Sequence, residues 1–208
     1  VGSEMCIRDR VEVSSNGQQF TSSRVPFIFN APHAISSVSP ERGPVAGATG
    51  VVVRGAGFSS GSDYKCRFGG ATVNASFEPT SETIHCASAP LSAQAVNLEV
   101  SLNAQQFTTA GVVFTYYGAP VVSRVSPDSG PVAGATLVRV FGSGLDAGLE
   151  YRCKFDEVVV PATLDHVSSM ATVLCTHPYA ASSSLFPDGK RNVSIEVALN
   201  AQDYTSSG

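Results

Sequence analysis

The sequence predicts an all-β protein made of tandem two-sheet sandwiches. Three observations carry this: a long internal repeat, apolar residues recurring at spacing two, and Gly, Pro, Asn and Ser between the apolar runs. The string GPVAGAT occurs at residues 43–49 and again at 130–136, an offset of 87 residues. At that offset residues 35–68 pair with 122–155, and 19 of those 34 positions are identical. Residues 11–29 pair with 98–116, with 10 of 19 identical, so a third copy contributes its tail at the front. The offset grows to 89 between Cys86 and Cys175 and to 97 between Leu102 and Leu199, because the second copy carries a longer loop over residues 176–192.

The repeat sets the expected organisation. Residues 1–10 match neither segment they should align with; Arg8, Asp9 and Arg10 fall where a copy would begin an apolar strand, so this stretch reads as a probable non-native segment. Residues 11–32 are then the C-terminal strands of a preceding repeat plus a linker, 33–118 a complete domain, and 119–208 a second domain lacking its last strand. The 208 residues suit this division, since domains of about 100 residues are common.

Each strand shows in the comparison of copies. Ile35 and Val38 open a copy. Val51 and Val53 recur as Val138 and Val140 while Val52 between them becomes Arg139, so one face is constrained and the other admits a charge. Tyr64, Cys66 and Phe68 recur as Tyr151, Cys153 and Phe155; Val73, Ala75 and Phe77 as Val160, Ala162 and Leu164. Ile84 and Cys86 recur as Val173 and Cys175, and Val96, Leu98, Val100 and Leu102 as Val193, Ile195, Val197 and Leu199. The apolar run over residues 112–117 closes the copy, giving about seven short strands, the pattern of an immunoglobulin-like sandwich. The cysteine interval is too short for an antibody-type domain and the chain has no tryptophan, so the likeness is architectural.

A family resemblance rests on Pro40, Gly43, Gly47, Thr49, Val51, Val53, Gly55, Gly57 and Phe58, and on Pro127, Gly130, Gly134, Thr136, Val138, Val140, Gly142, Gly144 and Leu145. This opening resembles that of IPT/TIG domains, the E-set type sandwiches shared by plexins, transcription factors and tandem-repeat surface proteins. The resemblance implies tandem IPT/TIG β-sandwiches with protein-binding, adhesive or spacing roles. Independently of the family, Gly43 and Gly47, with Gly130 and Gly134, stand before a strand and are expected as structural turn glycines able to take positive φ. No helix pattern follows them, so a phosphate loop is not indicated.

Setting aside Cys6 leaves two cysteines per copy at matching places. Four cysteines allow three pairings, and the recurrence of each copy as a self-contained unit selects Cys66 with Cys86 and Cys153 with Cys175. Disulfides persist in oxidising compartments, so an extracellular or cell-surface location is expected. Asn74 and Asn192 open N-glycosylation sequons. No Ser–His–acid set or carboxylate pair repeats between copies, and the four histidines do not correspond, so neither catalysis nor a cofactor or metal site is expected.

The net charge of −4 and the absence of a basic cluster argue against a nucleic-acid partner, hence against an intracellular DNA-binding role. Without tryptophan, a carbohydrate-binding accessory domain is weakly supported. The expected function is a non-catalytic surface module for adhesion, protein binding or spacing; the alternative is a ligand-binding segment of a plexin-like receptor ectodomain. Expected partners are other proteins or neighbouring repeats, with membrane attachment only through parts outside this sequence. The linkers at residues 30–33 and 117–120 contain proline and predict a semi-rigid array. Because the second copy lacks a final strand while residues 25–29 are of the missing type, self-association by strand donation is also expected.

Overall fold

A computed structural model describes residues 8–29, 32–109, 111–179 and 192–206. The first module comprises β3 (Ala34–Ser39), β4 (Arg42–Pro44), β5 (Gly50–Ala56), β6 (Lys65–Phe68), β7 (Ala71–Glu78), β8 (Thr83–Ala87), β9 (Ala95–Ser101) and β10 (Val112–Tyr117), in the order β3-β5-β8-β7-β6-β9-β10-β4. β7 belongs to both layers: its residues 71–74 pair with β6 and its residues 75–78 with β8. A strand that changes partner halfway turns one ladder into the two faces of a sandwich. Val51, Val53, Ile84 and Cys86 of one face meet Cys66, Phe68, Leu98, Val100 and Phe114 of the other. The Phe68 and Phe114 rings lie edge to face at 5.2 Å. Burial of side chains of this size stabilises by about 1.5–3 kcal/mol each.

The second module repeats the plan with β11 (Val121–Ser126), β12 (Leu137–Ser143), β13 (Arg152–Phe155), β14 (Val158–Val167), β15 (Met170–Thr176) and β16 (Ile195–Ala198), ordered β11-β12-β15-β14-β13-β16. β14 divides as β7 does, pairing with β13 up to Pro161 and with β15 from Ala162. Val138, Val140, Leu145, Phe155, Val173 and Val197 fill the core, and Leu145 stands where Phe58 fills the first. The exposed-face residue Arg139 spans β12 to β15 and β14, donating to Thr172 at 3.0 Å and to Asp165.

One feature departs from the sequence reading and a second adds to it. Residues 42–44 were expected within a turn, yet β4 pairs in parallel with β10 (Thr115 opposite Arg42) and adds an eighth strand. At the front, β1 (Arg8–Val11) pairs with β2 (Val25–Ile28), so the stretch read as non-native contributes three residues to a strand. Its register, Val11 opposite Val25, matches that of β9 and β10, Leu98 opposite Val112, at the repeat offset. Backbone ladders are made by the main chain, which is why unfavoured side-chain types there do not prevent pairing.

Candidate functional site

The structure concentrates its polar specificity where the modules meet. One half of the joint is a hairpin tip present in all three copies: Asn16-Gly17-Gln18-Gln19, Asn103-Ala104-Gln105-Gln106 and Asn200-Ala201-Gln202-Asp203. In each, the Asn Oδ1 accepts the amides two and three residues on, at 3.0 and 3.0, 3.1 and 3.1, and 3.1 and 2.9 Å. Its Nδ2 donates to the side chain three residues on, Gln19, Gln106 or Asp203. The residue after each Asn is left-handed, with φ of 74°, 61° and 62°. A threonine after the tip, Thr21, Thr108 or Thr205, accepts an amide from the incoming strand at 3.0–3.1 Å. Side-chain hydrogen bonds to local backbone thus fix the tip before it touches a neighbour.

The other half is a cradle formed by residues 42–50 of the first module. Gly47, with φ 74°, and Ala48, with φ 65°, turn the chain so that the Thr49 hydroxyl and the carbonyls of Arg42 and Gly50 face the second module. Thr49 Oγ1 donates to Asp203 Oδ2 at 2.6 Å, Asn200 Nδ2 donates to the Arg42 carbonyl at 3.1 Å, and Gln202 Nε2 donates to the Gly50 carbonyl at 3.1 Å. In return, Arg42 Nη1 donates to the Ala147 carbonyl, in the 3-10 turn Leu145–Ala147, at 2.7 Å. Tyr117 ends the first module's last strand, but its ring packs in the second module's core. Burial first, then the Asp203 carboxylate and Tyr151, push its phenol above the ordinary value.

The four turn glycines divide into two pairs. Gly47 and Gly134 have φ of 74° and 79°, and a Cβ on either would lie within 2.8 Å of backbone in the next turn. Gly43 and Gly130 do not have positive φ, contrary to the expectation; their constraint is contact. A Cβ on either would lie 2.5 Å from the hydroxyl of Thr49 or Thr136. Hydrogen minimises bulk there, so the threonine side chain can turn toward the cradle.

The structure links Cys66 to Cys86 and Cys153 to Cys175, each pair spanning the two layers. Asn74 is exposed on β7, where it accepts from Lys65 Nζ at 2.8 Å, and Asn192 is exposed beside the long loop. Of that loop, residues 180–191 lie outside the described residues, as do residues 1–7. The histidines do not come together: His85 contacts Thr83 Oγ1 at 2.9 Å, while half-buried His33 and His177 lie in separate modules. Among the described residues no group of three or more His, Cys, Asp or Glu gathers to hold a metal. The joint was missed in the sequence, although the threefold recurrence of Asn, Gln and a following Phe or Tyr and Thr was visible.

Two sandwiches docked end to end through a preformed tip and cradle define a tandem immunoglobulin-like repeat segment. The chain belongs to the IPT/TIG domain family, whose profile matches residues 32–116 and 120–208. It is 30% identical over 112 residues to fibrocystin-L of Mus musculus, covering 54% of this chain and 2% of the relative. It is 28% identical to plexin-B2 of Mus musculus over 68% of this chain and 8% of the relative. It is 25% identical to plexin-A3 of Homo sapiens over 84% of this chain and 9% of the relative. The chain therefore spans less than a tenth of the length of these relatives. A solved structure of the plexin A4 full extracellular region matches with a TM-score of 0.57 at 19% identity, covering 83% of this chain and 15% of that one, a likeness of fold.

Proposed function

We propose that this chain is a segment of an extracellular tandem array, a non-catalytic module that binds other proteins and holds neighbouring repeats at a set geometry. The observation that carries it is the joint: four side-chain hydrogen bonds cross between modules and a tyrosine of one enters the core of the other. A joint so tied favours a semi-rigid rod over a free hinge, the property a spacer or adhesive array needs. The plexin relatives favour the narrower reading of a receptor ectodomain segment. Disulfides and exposed Asn74 and Asn192 sequons suit a secretory route.

The test is to secrete the chain from eukaryotic cells and measure it by small-angle scattering. The reading expects oxidised cysteines, glycan at Asn74, and one elongated shape. Free thiols at all four positions, or a freely hinged pair, would sink it.

Strand donation is supported by two observations. Among the described residues β16 pairs only with β13, which leaves an edge where β10 lies in the first module. β2 has the register of β10, with Pro26 at the place of Val113. Thr115 donates outward to the Glu41 carbonyl and Tyr116 inward to Gln94, so the amide at Val113 points outward and a proline there forfeits no bond to the donated-to strand. Val25 and Phe27 are half exposed. If deleting residues 8–29 left the oligomeric state unchanged, this part is wrong.

A further inference from the structure

The repeat supplies an internal comparison. Asn200 and Thr49, which face each other across the joint, are 3% and 0% exposed. Their counterparts Asn103 and Thr136 carry the same local geometry but are exposed and half-buried. The Asn103–Gln106 tip has the same internal hydrogen bonds as the docked tip, and Gly130 leaves the same 2.5 Å clearance beside Thr136 that Gly43 leaves beside Thr49. The backbone of the second cradle turns alike, with Gly134 and Ala135 at φ 79° and 65°. Leu137 replaces Gly50; a Cβ at Gly50 would stand 3.5 Å from Gln202 Oε1, ordinary van der Waals contact, so the rest of the leucine side chain must turn away from an incoming tip.

We infer that, among the described residues, the Asn103–Gln106 tip and the cradle around Thr136 are unfilled halves of the docked contact, and that each takes the complementary half of another IPT/TIG repeat. A second copy of this chain presents that half, head to tail. The contact is heterologous: tip meets cradle and never itself, so it propagates head to tail and does not form a two-fold dimer. This rests on the tandem-array reading and adds a selection rule to it.

The rule comes from charge. The docked tip ends in Asp203, and its cradle holds Glu41 and the cation Arg42, whose guanidinium donates to the Ala147 carbonyl; the second cradle has Asp128 and Ser129 at those places. The vacant tip ends in neutral Gln106. A carboxylate tip would bring a second negative charge to a cradle with no cation, which disfavours it, whereas a Gln tip matches. Asp tips therefore favour Arg cradles over Ser cradles, whereas neutral Gln tips accept either.

The 208-residue chain at rising concentration, to about 1 mM, provides the test, read by side-chain amide and methyl NMR shifts with sedimentation in parallel. Expected are concentration-dependent shifts at Gln106 and Thr136, and association about two- to tenfold weaker in Thr136→Val, which removes the donor while keeping shape. In the chain without residues 8–29, and so without the Asn16–Gln19 tip, Gln106→Asp weakens association similarly and Ser129→Arg restores it. No shift at either half-site by 1 mM, or association unchanged in Thr136→Val, overturns the contact; failure of Ser129→Arg to rescue overturns the charge rule. Deleting residues 8–29 abolishes strand donation and leaves these shifts in place. A rod by scattering without them would refute this inference and leave the array reading standing.

Discussion

The Thr49 hydroxyl donates to the Asp203 carboxylate at 2.6 Å, joining residues of different modules across more than 150 positions of sequence. Asp203 is also held by Asn200 Nδ2 at 2.7 Å, so its carboxylate serves the tip and the joint together. Hydrogen bonds to a charged acceptor contribute about 1.5–3 kcal/mol. Thr49→Val keeps the shape and removes the donor. The expected outcome is a joint weaker by about that amount with both sandwiches still folded, seen as a broader distance distribution in scattering or between spin labels on the two modules. An unchanged distribution would show that the Tyr117 packing and the three remaining hydrogen bonds hold the joint without Thr49.

The two disulfides should act locally. Each closes a loop of similar length, with sequence separations of 20 and 22, and ties the two layers of its own sandwich. Loops of that size correspond to about 3 kcal/mol of stabilisation. Replacing Cys153 and Cys175 by Ala should lower the melting temperature of the second module and leave the first near its original value. Calorimetry that resolves two transitions measures this directly. A single transition that shifts as a whole would mean the joint couples the modules too tightly to melt apart.

Much of the fold was legible because a repeat reads one face twice. Val52 becoming Arg139 separates outward from inward positions in a way one copy cannot, and the burial of Val51, Val53, Val138 and Val140 follows it. β4 was not legible: three residues containing Gly and Pro carry no alternation, and their pairing to β10 is decided by main-chain groups. Gly43 was read as a conformational glycine when the constraint is a threonine hydroxyl 2.5 Å from its would-be Cβ, a contact across the turn that spacing does not encode. The joint was hidden for a related reason. Asn103 and Asn200 look alike in sequence, and only the docked partner distinguishes the buried one from the exposed one.

Alkaline pH should weaken the chain through its tyrosines. Burial is the first cause raising Tyr116, to about 12, and it also raises Tyr117, Tyr151 and Tyr204 above the ordinary 10.0. Between the unfolded and folded values, the unfolded phenols lose protons that the folded ones keep. The unfolded state then binds fewer protons, so stability is level below pH 10 and falls as pH rises beyond it. The Tyr117 hydroxyl has no hydrogen-bond partner among the described residues. Tyr117→Phe should therefore cost less than about 1 kcal/mol at pH 7, since it removes an unpaired buried polar group. It should also flatten the decline above pH 10. Thermal melts at pH 8 and pH 11 decide it; an equally steep decline in the variant would place the effect on the other phenols.

The paired glycines separate stability from coupling. Gly43→Ala and Gly130→Ala each push a methyl to 2.5 Å from a threonine hydroxyl, Thr49 or Thr136. Gly43→Ala also meets the Phe114 ring at 3.0 Å, whereas nothing comparable stands beside Gly130. Crowding of this kind costs about 1–3 kcal/mol, so both variants should melt lower, Gly43→Ala the more. Their effect on the joint should differ in kind. Displacing Thr49 breaks its bond to Asp203, while Thr136 faces no docked tip among the described residues. Gly43→Ala should loosen the rod in scattering below its melting temperature, and Gly130→Ala should leave the rod intact. Equal loosening by both would mean that the cradle transmits strain through the sandwich, and that Thr49 is not the point where the two modules are held.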